Sequence, residues 1–320
     1  MEEQIIIKRD VHTNPAYGVS PRNRSIEQLF QTGFIALDKP KGQTSAQSVS
    51  YVKKLLNVKK AGHTGTLDPG VSGVLPILLN DSVNLAAFLN KDKEYIGVMH
   101  VHNHVTENEI RNAFQKFEGK INQLPPVRSA VARRVREKNV YSLNILEIEG
   151  QDVLFNSRVE AGTYIRKLVH DIGQELKVGA QMTDLRRTRV GELSENSCFT
   201  LHQIAEAMWL FRNENDDRLL RQIVLPIEEA LEYFGMKFIW VADSAVNSIC
   251  SGAQLMEPGM VAFSKGIKEG ETVALMTLKD ELIGVAKSLY DSDSLSEISR
   301  KQVTKTLRVI MKRDVYPKFK

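Results

Sequence analysis

The stretch GHTGTLDPGVSG, positions 62 to 73, constrains this chain most, because its four glycines, three hydroxyls, one histidine and one carboxylate leave almost nothing to bury. Such a segment reads as a loop that the chain on either side must hold. It runs straight into GVLPILL (73–79), a short apolar run, and another, GFIALD (33–38), lies upstream; both read as strands. Within the loop Asp68 stands alone. Pro69 biases it toward an extended conformation, so its carboxylate can project, while Gly65, Gly70 and Gly73 let a ligand backbone come close. An Asp-Pro-Gly turn with no further role has the same local sequence, so the loop by itself does not decide.

Further along, Thr44 or Ser45 caps a helix whose apolar face is Val49, Val52 and Leu56. A helix carrying Leu85 and Leu89 is expected after the second strand. TENE (106–109) is a capping box ahead of Ile110, Ala113, Phe114 and Phe117, and TLHQ (200–203) is another. Alternation of Tyr141, Leu143 and Ile145, then of Val153, Phe155 and Val159, predicts two strands around Gly150. The clearest amphipathic helix is GTYIRKLVHDIGQEL, with Ile165, Leu168, Val169, Ile172 and Leu176 on one face; Arg166 lies near its start, off that stripe. After about residue 235 short strands are punctuated by Gly252, Gly259, Gly266, Gly270 and Gly284, which predicts a small, separate, mostly β, barrel-like module.

A length of 320 residues fits about two domains. With 42% hydrophobic and 26% charged residues the composition is that of a globular chain, and no apolar run approaches the roughly 18 residues that span a bilayer. MEEQIIIKRD is charged on both sides of its isoleucines and does not read as a signal peptide. Two distant cysteines, Cys198 and Cys250, make no thiolate zinc motif; both read as small buried hydrophobes, and the expected compartment is the cytoplasm. Net charge is only +4, yet basic residues gather at 127–140, in LRRTRVG (185–191) and over the last twenty positions. Three such runs look like footprints for a polyanion.

The catalytic motifs of several classes are missing: there is no GxSxG elbow, no P-loop and no GxGxxG after a strand. HVHNH would set His100, His102 and His104 on one face of a strand, where three imidazoles can bind a metal; with no HExxH-type base, a solvated or RNA-facing edge is the reading, and no metal is expected. A single exposed carboxylate suits nucleophilic or general-base work at a sugar carbon. A glycosidase would need a second acid, and none is apparent.

Five segments in order, GFIALDKPKGQTS, GHTGTLDPGVSGVLPILL, KEYIGVM, GTYIRKLVHDIG and MTDLRRTRVG, closely resemble the motifs of the TruB/dyskerin family of RNA pseudouridine synthases. SGAQLMEPG and GIKEGETVALMTLKDELIGVAKS resemble a PUA domain. The resemblance implies an α+β fold: a catalytic domain over 33–235 with a central mixed or antiparallel sheet flanked by helices, and a β-barrel-like PUA domain over 236–320 with a basic tail. Residues 1–32 would be an extension packed on the PUA module. PPVRSAVARRVR and KRDVYPKF resemble the archaeal dyskerin branch, whose members are catalytic subunits of H/ACA ribonucleoproteins.

By that resemblance the enzyme needs no cofactor. Asp68 is the essential carboxylate, attacking C1′ or removing a 2′ proton; Arg166 pairs with it, and Tyr95 stacks on the flipped base. His63, Lys39, Tyr164, Leu185 and Arg186 are expected at the substrate, Lys39 as a loop-structuring residue that can touch phosphate. Gly252, Ala253 and Lys265 are the expected guide-RNA contacts, and the basic 127–138 segment is expected to be a thumb-like loop. The implied partners are an H/ACA guide RNA, ribosomal and transfer RNA substrates and small accessory proteins, with no membrane. HVHNH departs from the acidic pattern that bacterial members carry after the stacking tyrosine, which puts bacterial-type transfer-RNA selectivity in doubt. Two other readings compete: a non-catalytic RNA-binding scaffold, and a stand-alone transfer-RNA enzyme of bacterial style.

Overall fold

The computed structural model describes residues 4–125 and 132–319, and two mixed sheets organise them. The larger sheet runs in the order Leu225–Pro226, Gly33–Lys39, Ser72–Leu79, Ala180–Val190, Lys93–Val101, Asp152–Val159, Arg136–Glu149 and Gly119–Gln123, with Ala61–His63 and Leu193–Ser194 attached beside it. Its neighbours are antiparallel except for one short parallel contact, in which Ser72 and Gly73 face Arg186 and Arg187. That contact brings the end of the glycine loop against the arginine run.

The two apolar runs are strands because both faces of the sheet are covered there. Ile35, Leu37, Leu75, Ile77 and Leu79 point into one core, packed by the helices Ser45–Leu56, Glu107–Lys116, Ile165–Glu175 and Leu201–Asn213. Phe34, Ala36, Val74 and Leu78 point into a second core, against the helix Ile227–Tyr233 and Phe238, Met276 and Leu282 of the second sheet. A strand buried on both faces has no polar alternation to show, which is why GVLPILL reads as a continuous apolar run.

The second sheet has six strands, in the order Ile5–Ile7, Met260–Ser264, Lys237–Val241, Thr272–Met276, Leu282–Ser288 and Thr304–Val309. Only Lys237–Val241 and Thr272–Met276 pair in parallel, and the path is open at both ends among the described residues. Its first strand comes from the start of the chain, with Ile5 opposite Ser264.

Capping boxes form at Thr44, Thr106 and Thr200, each Thr hydroxyl accepting from the backbone N–H three residues on. The stretch with Leu85 and Leu89 differs from expectation: Asn80–Phe88 winds as a 3-10 helix, with Leu89 just beyond it. Asn80 has φ +42° and is tied to Lys60 and Phe30, so tertiary bonds at the turn override the α-periodicity of the leucines. The histidine row also differs, since the strand Lys93–Val101 stops before His102 and His104. His100 alone is in register, and it faces Asp152 at 2.8 Å. No three His, Cys, Asp or Glu side chains among the described residues gather as a metal site, and no described helix is long and apolar enough to cross a membrane.

Candidate active site

The backbone on both sides of Asp68 is held from outside the loop at Leu67, Pro69 and Val71. Ser45, buried at the start of its helix, donates from Oγ to the Leu67 carbonyl (2.9 Å) and accepts from the Leu67 N–H (2.8 Å). Gly42 N–H donates to the Pro69 carbonyl, and Val71 N–H closes a turn onto the Asp68 carbonyl. Lys39, with no exposed surface, donates from Nζ to the Val71 and Pro40 carbonyls, both at 2.8 Å. Gly73 has φ +104°, and a Cβ there would lie 2.1 Å from the Arg187 carbonyl oxygen, so only glycine fits.

Out of this frame projects the Asp68 side chain. Its Oδ2 accepts from Arg166 Nη2 at 2.5 Å, with both side chains more than half exposed (51% and 63%). Arg166 is the second residue of the helix Ile165–Glu175, whose first turn contains no acidic residue. A cation at that end opposes the helix dipole, so the position is not one that helix stability selects. Gln123, nearly buried, fixes the helix start: its amide accepts from the Tyr164 N–H and donates to the Tyr164 carbonyl.

Tyr95 lies in the strand Lys93–Val101 directly across from Arg187, 7% exposed, and its hydroxyl favours the charged form of the buried Arg187 guanidinium. His63 ends the strand Ala61–His63; burial, with the Arg187 charge nearby, pushes its pKa down, which favours the neutral ring, and its Nδ1 is buried without a protein partner. Tyr164 precedes Arg166 at the helix start, half-buried. Leu185 is buried and would touch any Cβ placed on Gly97, so it packs into the sheet core.

Two expected substrate contacts sit differently from the others. Lys39 is sealed beneath the loop, its ammonium spent on carbonyls, which is the loop-structuring placement and leaves nothing to reach a phosphate. Arg186 is gripped by Asp38 through two bonds (2.9 and 3.1 Å) and by Glu195 at 2.6 Å, and these bonds raise its pKa further. Any phosphate there would compete with two carboxylates. In the second module Gly252 and Ala253 lie on an exposed turn after the helix Asp243–Cys250, while Lys265 donates to the Gln4 side chain at 3.0 Å. Of the expected thumb, residues 127–131 lie outside the described residues; Ala132–Val135 is exposed and irregular, and Arg136 begins a strand.

Residues that sequence reasoning did not single out surround the same loop. Arg187 is wholly buried; Nε donates to the Val74 carbonyl (2.7 Å), Nη2 to the Gly65 carbonyl (3.1 Å) and Nη1, at 3.5 Å, to that of Thr66. Lys93 is buried under Gly65, and burial, with Arg187 adjacent, pushes its pKa down to about 8. The signal for Arg187 was present: with Leu185 facing inward on a strand, the residue two positions on faces inward too.

The whole chain has known relatives. Residues 53–107 and 98–165 match the family model described as TruB family pseudouridylate synthase (N terminal domain), and 166–232 match the tRNA pseudouridylate synthase B C-terminal domain. Residues 237–310 match the PUA domain and 1–49 the DKCLD domain. A protein of Pyrococcus abyssi described as a probable tRNA pseudouridine synthase B is 45% identical, covering 100% of this chain and 96% of its own length. One of Methanopyrus kandleri with the same description is 46% identical over 99% of this chain and 94% of its own. Among solved structures, Cbf5 in a complex with Nop10 and Gar1 superposes with a TM-score of 0.92 at 44% identity, covering 100% of this chain and 97% of that one. An H/ACA ribonucleoprotein bound to a substrate RNA containing 2′-deoxyuridine superposes at 0.91 with 42% identity, covering 99% and 98%.

Proposed function

The chain belongs to the TruB family of pseudouridylate synthases, and from that membership we propose that it converts uridine to pseudouridine as the catalytic subunit of an H/ACA guide-RNA particle. Ribosomal RNA is the guided target and the T-loop uridine of transfer RNA a second one. The observation that carries the site assignment is the Asp68–Arg166 pair, joined at 2.5 Å across 98 residues of sequence and open to a ligand.

The reaction breaks the N1–C1′ bond, turns the uracil and joins C5 to C1′. Product and substrate are isomers, so nothing has to be consumed. Asp68 supplies the carboxylate, by attack on C1′ or by removal of a 2′ proton, and Arg166 fixes its orientation. The uridine must leave its stack, at a cost of a few kcal/mol. Tyr95 offers an aromatic face in return, worth about 1–3 kcal/mol. A neutral His63 fits the space a flipped base leaves, with Tyr164 and Leu185 lining the pocket. Gly252, Ala253, Lys265 and the basic tail hold the guide RNA, and small accessory proteins, such as the Nop10 and Gar1 seen with a relative, complete the particle. Transfer RNA as a substrate puts this work in the cytoplasm.

The test maps pseudouridine by carbodiimide adduct and primer extension on a transfer-RNA transcript and on a guided target, with and without guide RNA and partner proteins. Product on the guided target only with guide and partners is expected, and Asp68→Asn should abolish it at unchanged RNA affinity. Product formed equally by Asp68→Asn would overturn the assignment of Asp68, and no product under any condition would leave a binding scaffold.

A further inference from the structure

Arg187 has no exposed surface, and its hydrogen-bond partners among the described residues include no carboxylate. A guanidinium without a counter-ion is among the costliest groups to bury, and a neutral donor would satisfy one carbonyl far more cheaply. What a neutral donor cannot do is reach three carbonyls at once. Arginine presents five N–H groups in a rigid planar fork, whereas lysine presents three on one flexible point.

The partners that fork selects are not scattered. Gly65 and Thr66 lie just before Asp68, and Val74 lies just after the loop. The backbone of Arg187 itself meets Gly73, near enough to exclude any side chain there. On its other side the same residue faces Tyr95 across the sheet. Lys39 grips Val71 within the same loop, and Lys93 supports Gly65 from below. These cations shape the loop without touching the exposed carboxylate, whose ion-pair partner among the described residues is Arg166.

We propose that Arg187 is the positioning residue of this active site, a single buried fork that fixes the Asp68 loop and the Tyr95 ring in register with one another. The distance between the reacting carboxylate and the aromatic face is then set by one side chain, although the first group lies in a loop and the second on a strand. Because a near-attack geometry is lost with a displacement of about 1 Å, loosening the fork slows chemistry without weakening the grip on RNA. The inference rests on the assignment of Asp68 and Tyr95 given above.

The test measures single-turnover pseudouridine formation and RNA affinity in the assembled particle for wild type, Arg187→Lys, Tyr95→Phe, the double variant and Asp68→Asn. Arg187→Lys keeps the charge and removes the fork; its rate should fall roughly ten- to a hundredfold, with affinity for RNA within about twofold of wild type. Tyr95→Phe keeps the ring opposite Arg187 and removes only the hydroxyl that favours the charged fork. If both changes break one coupling, the double variant is no slower than the slower single variant. Rates that multiply, or Arg187→Lys at wild-type rate, overturn the proposal. Should Arg187→Lys fail to fold, Tyr95→Phe alone decides: a tenfold or greater loss at unchanged affinity supports the coupling and a wild-type rate overturns it. Activity in Asp68→Asn would instead defeat the underlying assignment, so the two failures are distinguishable.

Discussion

The two sheets bury opposite charges. Beneath the Asp68 loop lie Lys39, Lys93 and Arg187, all cations, with backbone carbonyls as their main partners. Around the second sheet and its seam lie Glu228, Glu257 and Glu281, all carboxylates, and their partners come from distant parts of the chain. Glu228 receives the Arg24 fork at 2.9 and 2.8 Å and also the Leu282 N–H. Glu257 receives Arg9 and the Arg300 N–H, which hold its pKa down. Glu281 receives the Val19 N–H, the Thr277 hydroxyl and the Tyr316 hydroxyl. A cation on carbonyls shapes one loop and leaves its field uncancelled where a polyanion would arrive. A carboxylate surrounded by donors from remote segments works as a stitch. The difference separates charge used for a site from charge used for assembly.

The sharpest way to break this comparison is to remove a stitch. In Glu228→Ala the Arg24 guanidinium is left buried without its partner, and the Leu282 N–H without an acceptor. A stability loss of about 3–5 kcal/mol is expected in urea unfolding of the purified chain. A loss below about 1 kcal/mol would mean that the seam is held by its apolar core alone.

The cation side has a signature of its own in pH. Lys93 has a pKa of about 8 when folded, against 10.5 for an ordinary lysine. Below pH 8 both states are charged and the cost of burying the ammonium is fully present. Between 8 and 10.5 the unfolded chain holds more protons, so this group makes stability rise with pH, until both states are neutral. The total gain is on the order of 3 kcal/mol. Measured from pH 7 to 10.5, the stability of wild type relative to Lys93→Met should climb by about that amount; parallel profiles would show that the ammonium is solvated after all.

Much of this was legible in the chain itself, for physical reasons that can be named. Thr44, Thr106 and Thr200 announced helix starts because capping is local, and Asp68 stood out as the one carboxylate in a segment of glycines and hydroxyls. Arg166 was visible as a cation off the apolar stripe of its helix. The expected helix around Leu85 is present, but its 3-10 winding and its end before Leu89 depend on bonds from Lys60 and Phe30, which no local pattern contains. Strand alternation from Leu185 points Arg187 inward, but which carbonyls it meets there is decided by strands distant in sequence. Arg186 and Arg187 are neighbours of one residue type, yet one lies between two acids and the other has no exposed surface. Lys39 was expected to structure a loop and also to reach phosphate, and KPKG gives no sign that a loop will fold over its ammonium. Gln123 and Ser45 were silent because each acts on backbone groups that only the tertiary fold brings near.

Glu281 gives the mildest test, because its replacement can keep the shape of the stitch. Glu281→Gln retains one carbonyl oxygen for the Val19 N–H or for a hydroxyl, and replaces the other oxygen by an amide NH2, which only donates. The Tyr316 hydroxyl, whose pKa is pushed up by burial and by the bond to Glu281, loses a charge-assisted acceptor but can accept from the amide in exchange. The Thr277 hydroxyl can rotate in the same way. What cannot be exchanged is the carboxylate's capacity to accept three bonds at once, so one donor is weakened and the loss is about 1–2 kcal/mol. The effect should be confined to the ends of the chain, with faster amide exchange at Val19 and around Tyr316 and none in the Asp68 loop. Exchange that quickens equally at Leu67 and Val71 would show that the stitched ends and the shaped loop unfold as one unit, and the division between the two uses of charge would then be one of chemistry and not of stability.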